Sequence, residues 1–239
     1  MSTYTSGHHK GGRTTDATHH SKADALDDRE YELLLEGAQR LDDYYTLEAQ
    51  FIINVAGRLG LRAGEIRHME ESWIDRRRRM IVIPGDQPCD KGMDGGLCGG
   101  CEQSAQQMVA HNDDVEIEEA RSEMWSPKTA AAAREVPFDA DPRAELAVER
   151  YFDRFDQYQT SQTGINRRVE KAAEAADELD PDDIYPHCLR STAATRFAAR
   201  GLDVIALQAM FGWADLSTAQ RYIRRSGENT ARAIRDIQL

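Results

Sequence analysis

The chain has 239 residues, with 42 Asp and Glu against 30 Lys and Arg, so its formal charge at neutral pH is −12. This length allows one large domain or two small ones, each with a hydrophobic core. A hydrophobic fraction of 40% at a mean hydropathy of −0.66 argues against a wholly disordered chain. No apolar run approaches the length of a membrane span, and the N-terminus lacks the apolar core of a signal peptide, so we predict a cytoplasmic protein.

The acidity alone argues against a general nucleic-acid binder, because phosphate backbones are held by positive charge. The charge is unevenly distributed, however. Residues 85–123 carry −8, whereas residues 187–239 carry +4. The basic residues comprise 25 Arg and only 5 Lys, which suggests a halophilic protein adapted to a salty cytosol, although codon bias would also favour Arg.

In chain order, residues 1–22 are rich in Gly, Ser, Thr and His and predict a disordered tail. Apolar residues from 23 to 59 recur at helical spacing and predict two helices, and residues 65–75 predict the next one. Short β-type runs occupy residues 79–84, 124–129 and 134–138. From Pro142 the pattern is helical to the end. We therefore predict an α+β fold, mainly α, with a small antiparallel sheet over residues 23–239.

The segment from 85 to about 123 interrupts the predicted sheet as an acidic insertion that contains three cysteines, Cys89, Cys98 and Cys101. Without a secretory signal, a Cys-x2-Cys pair favours metal binding or reduced thiols over a disulfide. Zinc requires four N or S ligands, and His111 is our candidate for the fourth. The alternative is a set of reduced thiols in a mobile loop, and a redox role is less favoured because the strand-to-helix setting is missing.

Near the C-terminus, His187 and Arg190 are three residues apart at a predicted helix start, and Trp213 and Tyr222 follow nine residues apart. Each of these residues alone has an ordinary structural explanation. In this order and spacing, the set resembles the catalytic domain of tyrosine recombinases, the phage integrase family. GRLGLRAGEI is similar to the first box of that family, and WSPKTAAAAREVPF is similar to its β-hairpin.

The resemblance implies six catalytic residues and one supporting residue. Arg62 and Arg190 would bind the non-bridging phosphate oxygens, since a guanidinium matches phosphate geometry and stays charged. Tyr222 would be the nucleophile and Lys128 the general acid for the 5′-oxygen. The remaining members are His187 for proton transfer or phosphate binding, Trp213 as a hydrogen-bond donor that packs against the tyrosine helix, and Glu65 as the orienting carboxylate.

Structural alternatives remain for Lys128, which follows a proline in a hairpin, and for Glu65, which an exposed helix position would also explain. Arg67 and His68 follow the first box and receive no catalytic role.

The function implied is site-specific DNA recombination through a 3′-phosphotyrosyl intermediate. This reaction needs no cofactor for catalysis, and the cysteine insertion is a candidate site for a structural zinc. The expected partner is double-stranded DNA, bound by a homo-oligomer that is a tetramer on recombining sites. Relatives usually carry an N-terminal clamp domain, so a separate clamp or DNA-bending protein is a further expected partner. Two alternatives stay open: a DNA-binding regulator of a full-length integrase, and a nicking-closing enzyme similar to type IB topoisomerases.

Overall fold

Helices form most of the part of the chain that the computed structural model describes, namely residues 25–127, 130–223 and 234–235. The predicted α+β, mainly α, class is confirmed. The helices are α1 (Asp28–Gln39), α2 (Asp43–Gly57), α3 (Ala63–His68), α4 (Gly99–His111), α5 (Ile117–Ser122), α6 (Pro142–Phe152), α7 (Gln162–Glu174), α8 (Pro186–Ala199), α9 (Val204–Phe211) and α10 (Leu216–Ile223). The strands are β1 (Ile74–Asp75), β2 (Met80–Ile83) and β3 (Arg134–Pro137).

Local capping explains where several of these helices begin. Asp27 accepts a hydrogen bond from the backbone N–H of Glu30, and the Glu30 side chain accepts one from the N–H of Asp27, which completes a capping box at α1. Ser161 and Asp203 are the N-cap residues of α7 and α9, and their side-chain oxygens accept hydrogen bonds from backbone N–H groups of the first turn without a reciprocal bond. These residues satisfy backbone donors that the first turn of a helix leaves without an intrahelical partner.

The core is built around α2, which packs against α1, α6, α7 and α8. Phe51 of α2 is fully buried, and its ring stacks on Tyr151 of α6 with centroids 4.2 Å apart. Tyr158, in the loop after α6, stacks on the rings of both Phe51 and Tyr151. It donates a hydrogen bond to buried Glu48 at 2.9 Å. Burying such rings removes a large apolar area from water, so α2 is the central helix of the fold.

The sheet is antiparallel with the strand order β1-β2-β3. Ile81 pairs with Ile74 on one side and with Val136 on the other, and all three side chains are buried. The predicted strands at 79–84 and 134–138 are confirmed, whereas the predicted strand at 124–129 is wrong over its described part, Met124–Pro127. The third strand is β1, in a segment that we had predicted to be helical.

Trp125 explains why its segment is not a strand. Its ring stacks between those of His68 and Trp73, at centroid distances of 5.0 and 5.4 Å. Its backbone carbonyl accepts a hydrogen bond from the N–H of Gln87 at 2.8 Å. The segment is therefore held by ring packing and by the first residues of the insertion.

The insertion forms α4 and α5, joined to β2 by a loop rich in glycine. The predicted disordered tail over residues 1–22 lies outside the described residues. Among the described helices, none combines the length and the apolar character that crossing a bilayer requires.

Candidate active site and cysteine cluster

The first turn of α3 brings Arg62 and Glu65 together. Glu65 accepts hydrogen bonds from the backbone N–H and from Nη1 of Arg62, both at 2.7 Å. Arg62 Nη2 donates to the carbonyl of Gly212 at 3.0 Å. Because Glu65 is 2% exposed and Arg62 is 25% exposed, the carboxylate forms the inner part of the pair and the guanidinium reaches the surface.

Glu65 also binds Arg134, a residue that the sequence analysis missed. Arg134 Nη1 and Nη2 donate to the two carboxylate oxygens at 2.8 and 3.0 Å, and Nε donates to the carbonyl of Met210 at 2.7 Å. Burial raises the pKa of Glu65, but the charges and hydrogen bonds of Arg134, with Arg190 and Arg62, outweigh it and lower that pKa to about 2. Glu65 is thus a buried carboxylate shared by two arginines, and the alternative of an exposed helix residue is wrong.

Arg190 lies on α8 and is buried. It donates through Nη1 to the carbonyl of Gly60 and through Nη2 to the carbonyl of Phe211. Burial and repulsion from Arg62 lower the pKa of Arg190 to about 9, so the guanidinium remains charged at neutral pH. One carbonyl from the loop after α2 and one from the last residue of α9 therefore fix one buried positive charge in place.

The loop after α9 positions the aromatic members of the site. Gly212 ends α9 in the left-handed conformation, with φ of 56°, and Trp213 follows it directly. The ring of Trp213 stacks on that of Tyr222, with centroids 5.2 Å apart and planes 7° apart. A glycine is required at this turn, because a Cβ at residue 212 would lie 2.8 Å from the Cα of Ala132.

Four of the predicted catalytic residues line one open cavity of about 650 Å³, namely Arg62, His187, Arg190 and Trp213. His187 is exposed there, on the first turn of α8. Tyr222 is 7% exposed, and its ring contacts these cavity-lining residues by stacking on Trp213. Lys128, the predicted general acid, lies outside the described residues.

The three cysteines of the insertion meet at a histidine, but that residue is His68 and not His111. His68 Nε2 lies 3.4, 3.7 and 3.3 Å from the Sγ atoms of Cys89, Cys98 and Cys101. His111 is exposed on the last turn of α4, where its Nδ1 is 2.7 Å from the carbonyl of Gln107. The prediction of His111 as the fourth ligand is therefore contradicted. All four cluster residues are buried, which is compatible with a structural metal site.

Of the two missed residues, Arg134 and His68, only Arg134 has a signal in the sequence. Arg134 directly follows a run of four alanines. It is the first residue of β3, in the segment that resembles the family's β-hairpin. His68 lies three residues after Glu65, and residues three apart share one helix face. No spacing rule connects His68 with cysteines 21 to 33 residues away.

Two guanidinium groups, an imidazole and an indole surround one cavity, with a tyrosine stacked on the indole, and this grouping matches the site that the resemblance to tyrosine recombinases implies. The family model for the phage integrase family matches residues 24–228, and the chain belongs to this family.

Several solved structures have a similar fold. The integrase of transposon Tn1549, in complex with transposon right-end DNA, is 19% identical, with a TM-score of 0.60 over 93% of this chain and 68% of that chain. The XerA recombinase is 16% identical, with a TM-score of 0.57 over 97% and 67%. The catalytic domain of bacteriophage HP1 integrase is 16% identical, with a TM-score of 0.51 over 88% and 93%. No curated protein matches the sequence.

Proposed function

We propose that this protein cleaves and rejoins DNA at specific sites through a 3′-phosphotyrosyl intermediate, with Arg62, Lys128, His187, Arg190, Trp213 and Tyr222 as catalytic residues. The observation that carries the proposal is the pair of fixed guanidinium groups on the cavity that His187 and Trp213 also line. Arg62 is held by Glu65 and one backbone carbonyl, and Arg190 by two backbone carbonyls. Glu65 orients Arg62 in this proposal without touching the DNA.

The two arginines stabilise the charge that develops on the scissile phosphate. Attack on a phosphodiester places additional negative charge on the non-bridging oxygens, and fixed donors favour the transition state more than mobile ones. Arg190 is held at two of its nitrogens and Arg62 at two, so neither guanidinium has to be reorganised when the phosphate arrives.

Tyr222 Oη attacks the phosphorus, and the bond between phosphorus and the 5′-oxygen breaks. The phenol proton passes to His187 or, where His187 instead hydrogen-bonds the phosphate, to solvent, and Lys128 donates a proton to the leaving 5′-oxygen. The phosphotyrosyl bond conserves the energy of the phosphodiester, so a free 5′-hydroxyl from the partner strand reverses the reaction without ATP. No cofactor takes part in these steps, and a zinc ion in the cysteine insertion has a structural role.

The partner in this proposal is double-stranded DNA, which faces the positively charged C-terminal segment. Recombination of two duplexes breaks four strands and needs four tyrosine nucleophiles, each regenerated when its strand is rejoined, so we propose a homotetramer on the recombining sites. Since the net charge of −12 weakens general attraction to phosphate, a separate clamp or DNA-bending protein is a further proposed partner. The arginine-rich, acidic composition supports a protein that acts in a salty cytoplasm.

The test is covalent trapping on a nicked suicide substrate, in which the freed strand diffuses away. DNA sites flanking the gene are incubated with the full chain in high salt, and adducts are separated by denaturing electrophoresis. Wild type forms an adduct and Tyr222→Phe forms none, whereas the matched control Tyr44→Phe, which alters an exposed tyrosine, retains it.

Three other outcomes would contradict the proposal. DNA binding without any adduct would indicate a regulator of another integrase. Relaxation of supercoiled plasmid without sequence preference would indicate a nicking-closing enzyme. An adduct that persists in Tyr222→Phe would assign the nucleophile to another residue.

A further inference from the structure

The cysteine cluster has the dimensions of a tetrahedral metal site. The ligand atoms of His68, Cys89, Cys98 and Cys101 all lie within 4.8 Å of one another. Zinc binds sulfur at about 2.3 Å and nitrogen at about 2.0 Å, so a regular tetrahedron would separate sulfur from nitrogen by about 3.5 Å. The three distances from His68 Nε2 to sulfur are 3.4, 3.7 and 3.3 Å, close to that value.

The second ring nitrogen of His68 is already used. Nδ1 lies 2.8 Å from the carbonyl of Gly64, so it carries the proton and donates to that oxygen. This tautomer leaves the Nε2 lone pair directed at the three sulfurs. Metal-binding histidines are usually oriented by such a bond, and the stack of the ring on Trp125 fixes its plane.

The cysteines are arranged to meet the same point from two backbone segments. Cys98 caps α4, and its sulfur accepts a hydrogen bond from the N–H of Cys101 at 3.4 Å. The sulfur of Cys89 accepts one from the N–H of Cys98 at 3.5 Å. Gly92 allows the loop between the first two cysteines to close, because a Cβ there would lie 2.1 Å from the carbonyl oxygen of Leu97.

We propose that His68 Nε2 and the thiolates of Cys89, Cys98 and Cys101 bind one zinc ion, which fastens the acidic insertion to the C-terminal end of α3. Binding releases the three thiol protons to solvent. Four protein ligands complete a tetrahedron without a free position, and all four residues are buried, so the ion is structural. The effect on DNA cleavage, through Arg62 and Glu65 at the other end of α3, rests on the proposed function, whereas the metal site itself does not.

The experiment measures metal content on the full chain without DNA. Protein purified under reducing conditions is analysed by native mass spectrometry and by elemental analysis for zinc and iron. We expect one zinc per chain in wild type, substoichiometric zinc in His68→Ala and in Cys101→Ser, and one zinc in the matched controls His111→Ala and Cys188→Ser. Replacing zinc by cobalt(II) should produce the strong visible absorption of a tetrahedral thiolate site, which His68→Ala should lose.

The site proposal is wrong if wild type contains no zinc and takes up no cobalt, if stoichiometric iron replaces zinc, or if native masses show a disulfide within the cluster. Retention of metal in His68→Ala with an unchanged cobalt spectrum would also overturn the ligand set. If His68→Ala or Cys101→Ser does not fold, cobalt titration of wild type and of His111→Ala replaces them. Equal tetrahedral spectra in the two proteins support the site without His111, and loss of the spectrum in His111→Ala contradicts it. Chelation should lower the unfolding temperature of wild type, and that readout is independent of any phosphotyrosyl adduct.

Discussion

The two ends of α3 carry two polar clusters that differ in exposure: the one at its start borders an open cavity, and the one at its end is buried. At its start, Arg62, Glu65 and Arg134 form a charged network beside a cavity, and the Arg62 side chain remains 25% exposed. At its end, His68 contacts three buried cysteines and is covered by the ring of Trp125. Arg62 and His68 are six positions apart along α3, about 9 Å along the axis at the usual rise per residue, and Glu65 is three positions from His68.

The difference shows how one short helix serves chemistry and architecture together. A site that binds a phosphate must keep donors accessible, and excess positive charge without a ligand needs a buried counter-charge such as Glu65. A structural site gains from having every ligand atom face inward. In the two proposals taken together, a metal at His68 would hold the cysteine-covered end of α3, here called the closed end. The open end, at Arg62, would keep its donors available for DNA.

The largest expected effect is on cleavage, from Arg190→Lys at the open end. A lysine keeps the charge but cannot donate to the carbonyls of Gly60 and Phe211 and to a phosphate in one plane. We expect the rate of adduct formation on the suicide substrate to fall by about 100- to 1000-fold, the usual loss for a fixed transition-state donor.

Metal content should be unchanged in this variant, because Arg190 donates to the carbonyls of Gly60 and Phe211 and the cysteine cluster is built from other residues. Circular dichroism provides the control for folding. A cleavage rate within about two-fold of wild type would remove Arg190 from the transition state and leave it a packing role.

The next largest effect is on stability, from Glu65→Gln. The amide leaves Arg134 with a buried charge and no carboxylate, and breaking such a pair costs about 3 kcal/mol of unfolding free energy. Urea unfolding at neutral pH measures the loss. The matched control is Glu135→Gln, which breaks an exposed pair with Arg78 and should leave the unfolding midpoint nearly unchanged.

The same carboxylate predicts a pH dependence. The folded pKa of about 2 lies below the ordinary 4.5, so the stability that Glu65 contributes is complete above pH 4.5 and is lost as the pH falls toward 2. Wild type should therefore lose stability over this window, and Glu65→Gln should lose about 3 kcal/mol less over it. Parallel curves for the two proteins would contradict the buried ion pair.

Much of the fold follows from local pattern. The helical spacing from residue 23 to 59 predicts α1 and α2, since a helix buries apolar residues at its own period. The short β-type run at 79–84, bounded by residues that break regular structure, predicts β2. The predicted strand at 124–129 was wrong because so short a run is too brief to show a helical or strand period. Trp125 is buried by the rings of His68 and Trp73, which are distant in sequence. The two-residue strand β1 is too short to carry a pattern at all.

The site divides in the same way. Arg62, His187, Arg190 and Trp213 could be predicted from the order and spacing of the motifs, and all four line the cavity. The histidine of the cysteine cluster could not, because ligand choice depends on which helix end packs on the insertion. His111 was nearer along the chain, but the helix α4 that begins at the cysteines carries it away from them.

The smallest predicted effect comes from Gly212→Ala, at the turn between α9 and Trp213. The carbonyl of Gly212 accepts a hydrogen bond from Arg62 at the open end of α3. Alanine disfavours the left-handed φ of 56°, and its Cβ would lie 2.8 Å from the Cα of Ala132 and 2.9 Å from the carbonyl oxygen of Ala131. We expect the unfolding free energy to fall by about 2 kcal/mol, and adduct formation to slow by about ten-fold as the carbonyl that orients Arg62 shifts. Gly64→Ala is the matched control on α3 itself, because no atom lies within 4 Å of the added Cβ. Zinc content should be unchanged in both variants, so a loss of metal in Gly212→Ala would show that the two ends of the helix are not held independently.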